Sequence, residues 1–238
     1  MTSFAAAAGA RSRALAAAPE CAVITLAALA YVAVRALTEG DLHEARVNGR
    51  RILSLEHTLH LGWERGLQAF VLEHRPLSTL ADWVYIWGFW PVLAAAAVYL
   101  YTRHPGDYLL LRNAVFLSAV IGFTIFAVFP VAPPRLVDPR LVDTVLDRAT
   151  WYRSMQPPRL TNEYAAMPSL HVGWSLLVGA VLARAMRRPL AYALAALLPT
   201  AMAFAVVATA NHYVVDALVG SGVAATALLL VSRVRWLR

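Results

Sequence analysis

Hydrophobic positions fall into six long runs separated by shorter polar stretches: Cys21–Leu37, Trp83–Tyr101, Leu109–Phe129, Pro168–Met186, Pro189–Ala210 and Tyr213–Val231. Each approaches the ~20 residues a helix needs to cross a hydrocarbon core of ~30 Å. Lipid offers the backbone no hydrogen-bond partner, so each run predicts a helix. Arg11 and Arg13 precede the first run, as in a cleaved leader. Arg35 stands where a small-residue cleavage site belongs, so the run reads as a retained span. Between the first two runs, Asn48–His74 follows a different rhythm. Ile52, Leu55, Leu59, Trp63, Leu67, Phe70 and Val71 recur at three- and four-residue spacing, which predicts an amphipathic helix on the membrane surface. His57 and His60, with Glu56 and Glu64 nearby, read as the solvated polar face of that helix, with a metal cluster as the alternative. The expected architecture is all-α: a polytopic membrane protein of six transmembrane helices in a bundle, with an interfacial helix between spans 1 and 2. Residues 1–20 read as a cytoplasmic tail and 21–238 as a single domain, with no internal repeat.

Composition strengthens the membrane reading. Of 238 residues, 60% are hydrophobic, and the mean hydropathy is +0.57, above the ~45–50% apolar content of soluble domains. The net charge is +7 and all 21 basic residues are Arg. A cationic surface suits anionic headgroups, and a phosphate clamp here must be built from guanidinium forks. No basic cluster is interleaved with aromatics, so nucleic acid is not an expected partner. Cys21 is the single cysteine, which excludes an intramolecular disulfide or a CxxC metal site. With the N-terminus inside, the inner segments carry ten Arg (11, 13, 103, 112, 184, 187, 188, 233, 235 and 238); the outer loops, about Thr38–Asp82 and Pro130–Met167, also carry ten, but over about twice the length. Positive density in short loops favours both termini in the cytoplasm; the expected location is the plasma membrane, with the other face outside.

Three segments interrupt the apolar pattern at that outer face: FPVAPPR ending at Arg135, MPSLH ending at His171, and NHYVVD from Asn211 to Asp216. His212 and Asp216 are spaced i, i+4, within reach on one helical face. A carboxylate there can accept a hydrogen bond from one imidazole N–H and leave the other nitrogen free to attack. An intramembrane carboxylate also demands a partner, and His212 is the nearest. His171 adds a second imidazole suited to protonating a leaving group. Two imidazoles and one carboxylate fit phosphoryl transfer through a phosphohistidine. The alternatives are structural hydrogen-bonding histidines and a metal bound by His171, His212 and Asp216. Pro130, Pro133 and Pro134 serve as helix terminators. Arg135 reads either as a snorkelling boundary residue or as a phosphate clamp.

The segments PSLH and NHYVVD, one hairpin apart, resemble the second and third signatures of the type 2 phosphatidic acid phosphatase superfamily. FPVAPPR with AAMPSLHVGW is similar to the branch containing the fungal inositol phosphorylceramide synthases. The resemblance covers Leu109–Val231, with the signatures inside 129–220. It implies that His212 is the nucleophile, Asp216 its orienting acid, and His171 the general acid on the leaving oxygen. Ser169 corresponds to the signature serine that contacts phosphate, and the family works without metal or other cofactor. The pattern departs at Val206, where the family carries Arg six residues before its histidine. The first signature's Lys is also missing; Gln68 followed by Arg75-Pro76 is a formal near-match in the wrong place. Arg135, Arg159 and Arg75 are therefore the candidate replacement cations. With fewer cations than a free phosphomonoester demands, the resemblance leans towards a phosphodiester or a phosphotransferase reaction on a membrane lipid. A catalytically inactive binding or transport protein that retains the fold is the alternative.

Overall fold

The computed structural model describes residues 41–145 and 163–234, together with 18–20, 22–27 and 29. Among these residues the regular structure is helical: α1 Leu42–Thr58, α2 Glu64–Glu73, α3 Arg75–Trp87, α4 Trp90–Arg103, α5 Pro105–Val128, the single turn α6 Pro134–Val137, α7 Leu170–Met186, α8 Pro189–Ala208 and α9 Val214–Arg233. Proline occupies the first turn of α3, α4, α5, α6 and α8, where a missing N–H costs no hydrogen bond.

Three helices, α5, α8 and α9, are long and apolar enough to cross a membrane, and α3 with α4 makes a fourth if that pair is one span. Only 28–39% of each long helix's apolar window is buried against protein. The remainder, including Val120, Leu197, Leu218 and Leu229, faces outward, as lipid contact requires. The run expected as one span from Trp83 to Tyr101 is instead divided. Here α3 and α4 meet at 48°, and a Cβ on Gly88 would collide with the Val84 carbonyl oxygen, so the bend closes too tightly for any other residue. Helix α7 has 17 residues, or ~26 Å of length, somewhat short of the hydrocarbon core. The expected first span, Cys21–Leu37, lies mostly outside the described residues.

Helix α7 is the hub of the bundle, packing against α8, α9, α5 and α4. Its core contacts come from Leu177, Val178 and Val181, set against Leu111, Met202 and Val206. Towards α9 the backbones touch. A Cβ on Gly220 would overlap the Ser169 carbonyl oxygen, and one on Gly173 would sit 2.6 Å from the Gly220 carbonyl oxygen. Small residues permit such close approach between membrane helices, where dispersion contacts replace the hydrophobic effect.

The polar segment Asn48–His74 is not one helix. It breaks into α1 and α2 because α1 ends in a Schellman motif: His60 adopts φ 57, its N–H donates to His57, and Leu61 N–H donates to Glu56. Both helices pack against the end of the bundle where α8 meets α9, α1 on α6 and α9, α2 on α8. This changes the expected polar face. His57 and His60 are exposed as anticipated, but Glu56 and Glu64 are 0% and 2% exposed, because each turns inward to cap the start of α9.

Candidate active site

The site forms where α8 hands the chain to α9. Helix α8 ends in a second Schellman motif, with Ala210 at φ 54, its N–H donating to Val207 and the Asn211 N–H donating to Val206. His212 N–H also donates to the Val206 carbonyl. The i, i+4 spacing of His212 and Asp216 suggested one helical face; instead His212 lies just before α9, whose N-cap is Tyr213. Asp216 is the N3 residue of a capping box, and its Oδ2 accepts from Tyr213 N–H at 2.9 Å. The unsatisfied N–H groups of a helix start draw a carboxylate strongly. Consequently His212 Nδ1 makes its short bond, 2.7 Å, to the Ala166 carbonyl, while Asp216 Oδ2 stands 3.4 Å away. A carbonyl only accepts, so Nδ1 carries the proton and Nε2 keeps its lone pair in the neutral ring. Burial pushes the His212 pKa down to about 4; the Ala166 bond opposes that shift and the Arg135 charge adds to it. The ring is therefore neutral, and nucleophilic, near pH 7.

The Ala166 carbonyl is itself held in place. Val131 and Ala165 form a parallel bridge, with Val131 N–H donating to Tyr164 and Ala166 N–H donating to Val131. The turn after α5 is fixed from other sides too. Asn48 Nδ2 donates to the Pro130 carbonyl at 2.9 Å, and Tyr213 Oη donates to the Ala132 carbonyl at 2.9 Å.

His171 lies in the first turn of α7, with its ring centroid 5.9 Å from that of His212. It packs between Phe89 at 4.5 Å and Tyr85 at 5.1 Å, both from the α3–α4 bend. Ser169, the N-cap of α7, is completely buried; its N–H donates to the Asp216 carbonyl and its Oγ has no hydrogen-bond partner. Arg135 enters from α6. Its side chain donates to Asn211 Oδ1 at 2.8 Å and pairs with Asp143 at 2.6 Å, so the guanidinium is fixed beside the residue preceding His212. The structure thus brings together His171, His212, Asp216, Ser169 and Arg135. Arg159 lies outside the described residues. Arg75 is exposed in a surface groove with Pro76, Thr79, Leu80 and Trp83, ten helical positions, or ~15 Å, from Tyr85. Gln68 instead ties α2 to its neighbours, since its amide donates to the Val142 and Ala208 carbonyls and accepts from Val142 N–H.

The motifs miss several members of the site. Asn211 is adjacent to His212, and that adjacency is a signal that could find it. Asp143, the Ala166 carbonyl and the Tyr85–Phe89 ring pair carry no local signal, because their roles arise from contacts distant in sequence. Among the described residues, no group of three or more His, Cys, Asp or Glu is arranged to hold a metal ion.

The geometry is that of a membrane protein with a paired-histidine site at one end of its bundle. A family model for the PAP2 superfamily matches residues 50–230, and the chain belongs to that superfamily. Membership supports a phosphatase-type enzyme associated with a membrane. A search of curated proteins and a search of solved structures return no match.

Proposed function

We propose that this chain is an integral membrane lipid phosphatase or phosphotransferase that works through a phosphohistidine. One observation carries the reading: the His171 and His212 rings lie side by side with centroids 5.9 Å apart, and the Ala166 carbonyl holds the His212 proton on Nδ1. In the first step His212 Nε2 forms a bond to phosphorus as the P–O bond to the leaving alcohol breaks, and His171 gives that oxygen its proton. In the second step water or an alcohol attacks phosphorus, its proton passes to His171, and the N–P bond breaks. Asp216 supports the charge that develops on His212. Arg135, with Ser169 and Arg159, neutralises the phosphoryl oxygens, and no metal takes part.

The substrate is a membrane lipid carrying a phosphate ester, reached from the bilayer side. Trp63, Trp83, Trp87 and Trp90 are all about half exposed or more, and they lie towards the same end of the bundle as the histidines. Such a tryptophan girdle suits the headgroup level. The arrangement extends to six spans, a surface-lying α1–α2 segment, cytoplasmic termini and a site on the outer face of the plasma membrane. Val206 is fully buried in the apolar core, so no cation stands where the family's Arg would be. That favours transfer of a phosphodiester headgroup, as in the inositol phosphorylceramide synthase branch, over hydrolysis of a doubly charged monoester.

Purified protein in mixed micelles, with chelator present, tests this. Hydrolysis predicts inorganic phosphate from phosphatidic acid; transfer predicts movement of a labelled headgroup between lipids with little free phosphate. Either result should vanish in His212→Ala and His171→Ala proteins that remain folded. Activity abolished by the chelator would overturn the metal-free mechanism. Unaltered cellular function in His212→Ala would leave a binding or transport protein as the answer.

A further inference from the structure

The start of α9 is held by three carboxyl groups from three helices. Tyr213 N–H donates to Asp216, Val214 N–H donates to Glu64 Oε1 at 3.1 Å, and Val215 N–H donates to Glu56 Oε1 at 2.8 Å. Glu56, Glu64 and Asp216 are 0%, 2% and 0% exposed. Three adjacent buried negative charges would repel strongly, and the partial positive charge of one helix start cannot offset them. Glu56 Oε2 is buried with no donor reaching it. A carboxylate oxygen in that state is costly, and the cost disappears if it carries a proton for a neighbouring carboxylate.

We infer that Glu56 and Glu64 are positioning residues for the reaction proposed above: an acid–carboxylate pair sharing one proton that locks the α9 start, and through it His212 and Asp216. The groups facing Glu56 are Glu64 from α2 and Asp216 from α9, with the Tyr213 hydroxyl also sensing all three carboxyl groups. Burial, helped by Glu64 and Asp216 and opposed by the Val215 bond, pushes the Glu56 pKa up to about 9. Near pH 7 the proton is therefore retained. The folded pKa lies above the ordinary 4.5, so the stability contribution is complete below that value and is lost as pH rises through about 9.

Gln has the shape of a protonated Glu: its oxygen can still accept from Val215 and its NH2 can donate to Glu64. The test compares wild type, Glu56→Gln, Glu64→Gln and Glu56→Ala for kcat, KM and detergent-phase Tm from pH 5 to 10. Both Gln proteins should hold kcat at pH 7 within about threefold of wild type, since the capping bonds survive. Their alkaline activity limb and Tm decline should move up by at least about one pH unit, since no shared proton is left to lose. Glu56→Ala should lose about 100-fold in kcat with little change in KM, as expected when reacting groups shift. An unmoved Tm decline in both Gln proteins overturns the shared proton, whatever the activity. Equal damage from Glu56→Gln and Glu56→Ala at pH 7 overturns the positioning role. If wild type proves inactive on every lipid phosphate, the functional reading fails on its own, and the Tm comparison still decides whether the proton is shared.

Discussion

The bundle α5, α7, α8 and α9 and the cap made by α1, α2 and the 129–145 turn are held together by different physics. In the bundle, helices meet through shape: Gly173 and Gly220 let α7 and α9 touch backbone to backbone, and Leu177, Val178, Met202 and Val206 fill the remaining space. In the cap, buried polar side chains reach across long sequence distances to backbone groups. Asn48 to Pro130, Gln68 to Val142, and Glu56 and Glu64 to the start of α9 are the main examples. His171 and His212, the pair proposed to react, lie on the seam between the two. A shape-packed region fails by clash, whereas a hydrogen-bonded cap fails by leaving a buried group unpaired.

Substitutions can tell these two modes of failure apart. The largest effect should come from the bundle. Gly220→Ala places a methyl against the Ser169 carbonyl, with rigid backbone on both sides. The expected cost is about 3 kcal/mol or more, read as a lower Tm and a reduced monodisperse yield in detergent. On the seam, Arg135→Ala should reduce kcat/KM by about 100-fold and also lower the Tm, since it strands the buried Asn211 Oδ1 at a cost of about 1–3 kcal/mol. In the cap, Asn48→Ala should cost about 1–3 kcal/mol by stranding the buried Pro130 carbonyl; a loss as large as that of Gly220→Ala would erase the distinction between the regions. His212 gives a pH signature. Its pKa is lowered from 6.5 to about 4, so its stability contribution is full above 6.5 and is lost as pH falls through about 4. The Tm of wild type should fall across that window more steeply than that of His212→Gln. The smallest effect belongs to Ala210→Gly. An alanine at φ 54 is mildly strained, and glycine should raise stability by ~0.5 kcal/mol once its extra unfolded-state freedom is counted.

Bundle and cap also differ in how far their residues reveal them. The bundle is legible: uncharged runs predict α5, α7, α8 and α9 to within a few residues, because lipid leaves the backbone one solution. The α3–α4 bend is not, since Gly88 looks like any glycine in an apolar run until a neighbouring carbonyl is placed against it. In the cap the period of Ile52, Leu55 and Leu59 correctly indicates helix, but it continues across a break set by backbone bonds at His60. Periodicity assigns Glu56 and Glu64 to the solvated face because it ranks side chains by polarity and cannot register a helix start that needs acceptors. Within the candidate site, the short motifs contain His171, His212, Asp216 and Ser169, and FPVAPPR contains Arg135, residues that the structure brings together. Their partners, Asp143 and the Ala166 carbonyl, depend on folding that no local spacing encodes.

The bond from His212 Nδ1 to the Ala166 carbonyl has a genetic consequence. The group that decides which nitrogen of His212 carries the proton belongs to the main chain, and every amino acid has one. No point mutation at position 166 deletes it, so a saturation scan would register that residue only through its side chain's fit. The choice of nitrogen would be inherited almost unchanged while side chains around it drift. Exposing its contribution requires changing the backbone itself, for example with an ester in place of an amide, or moving the Val131–Ala165 bridge that carries it.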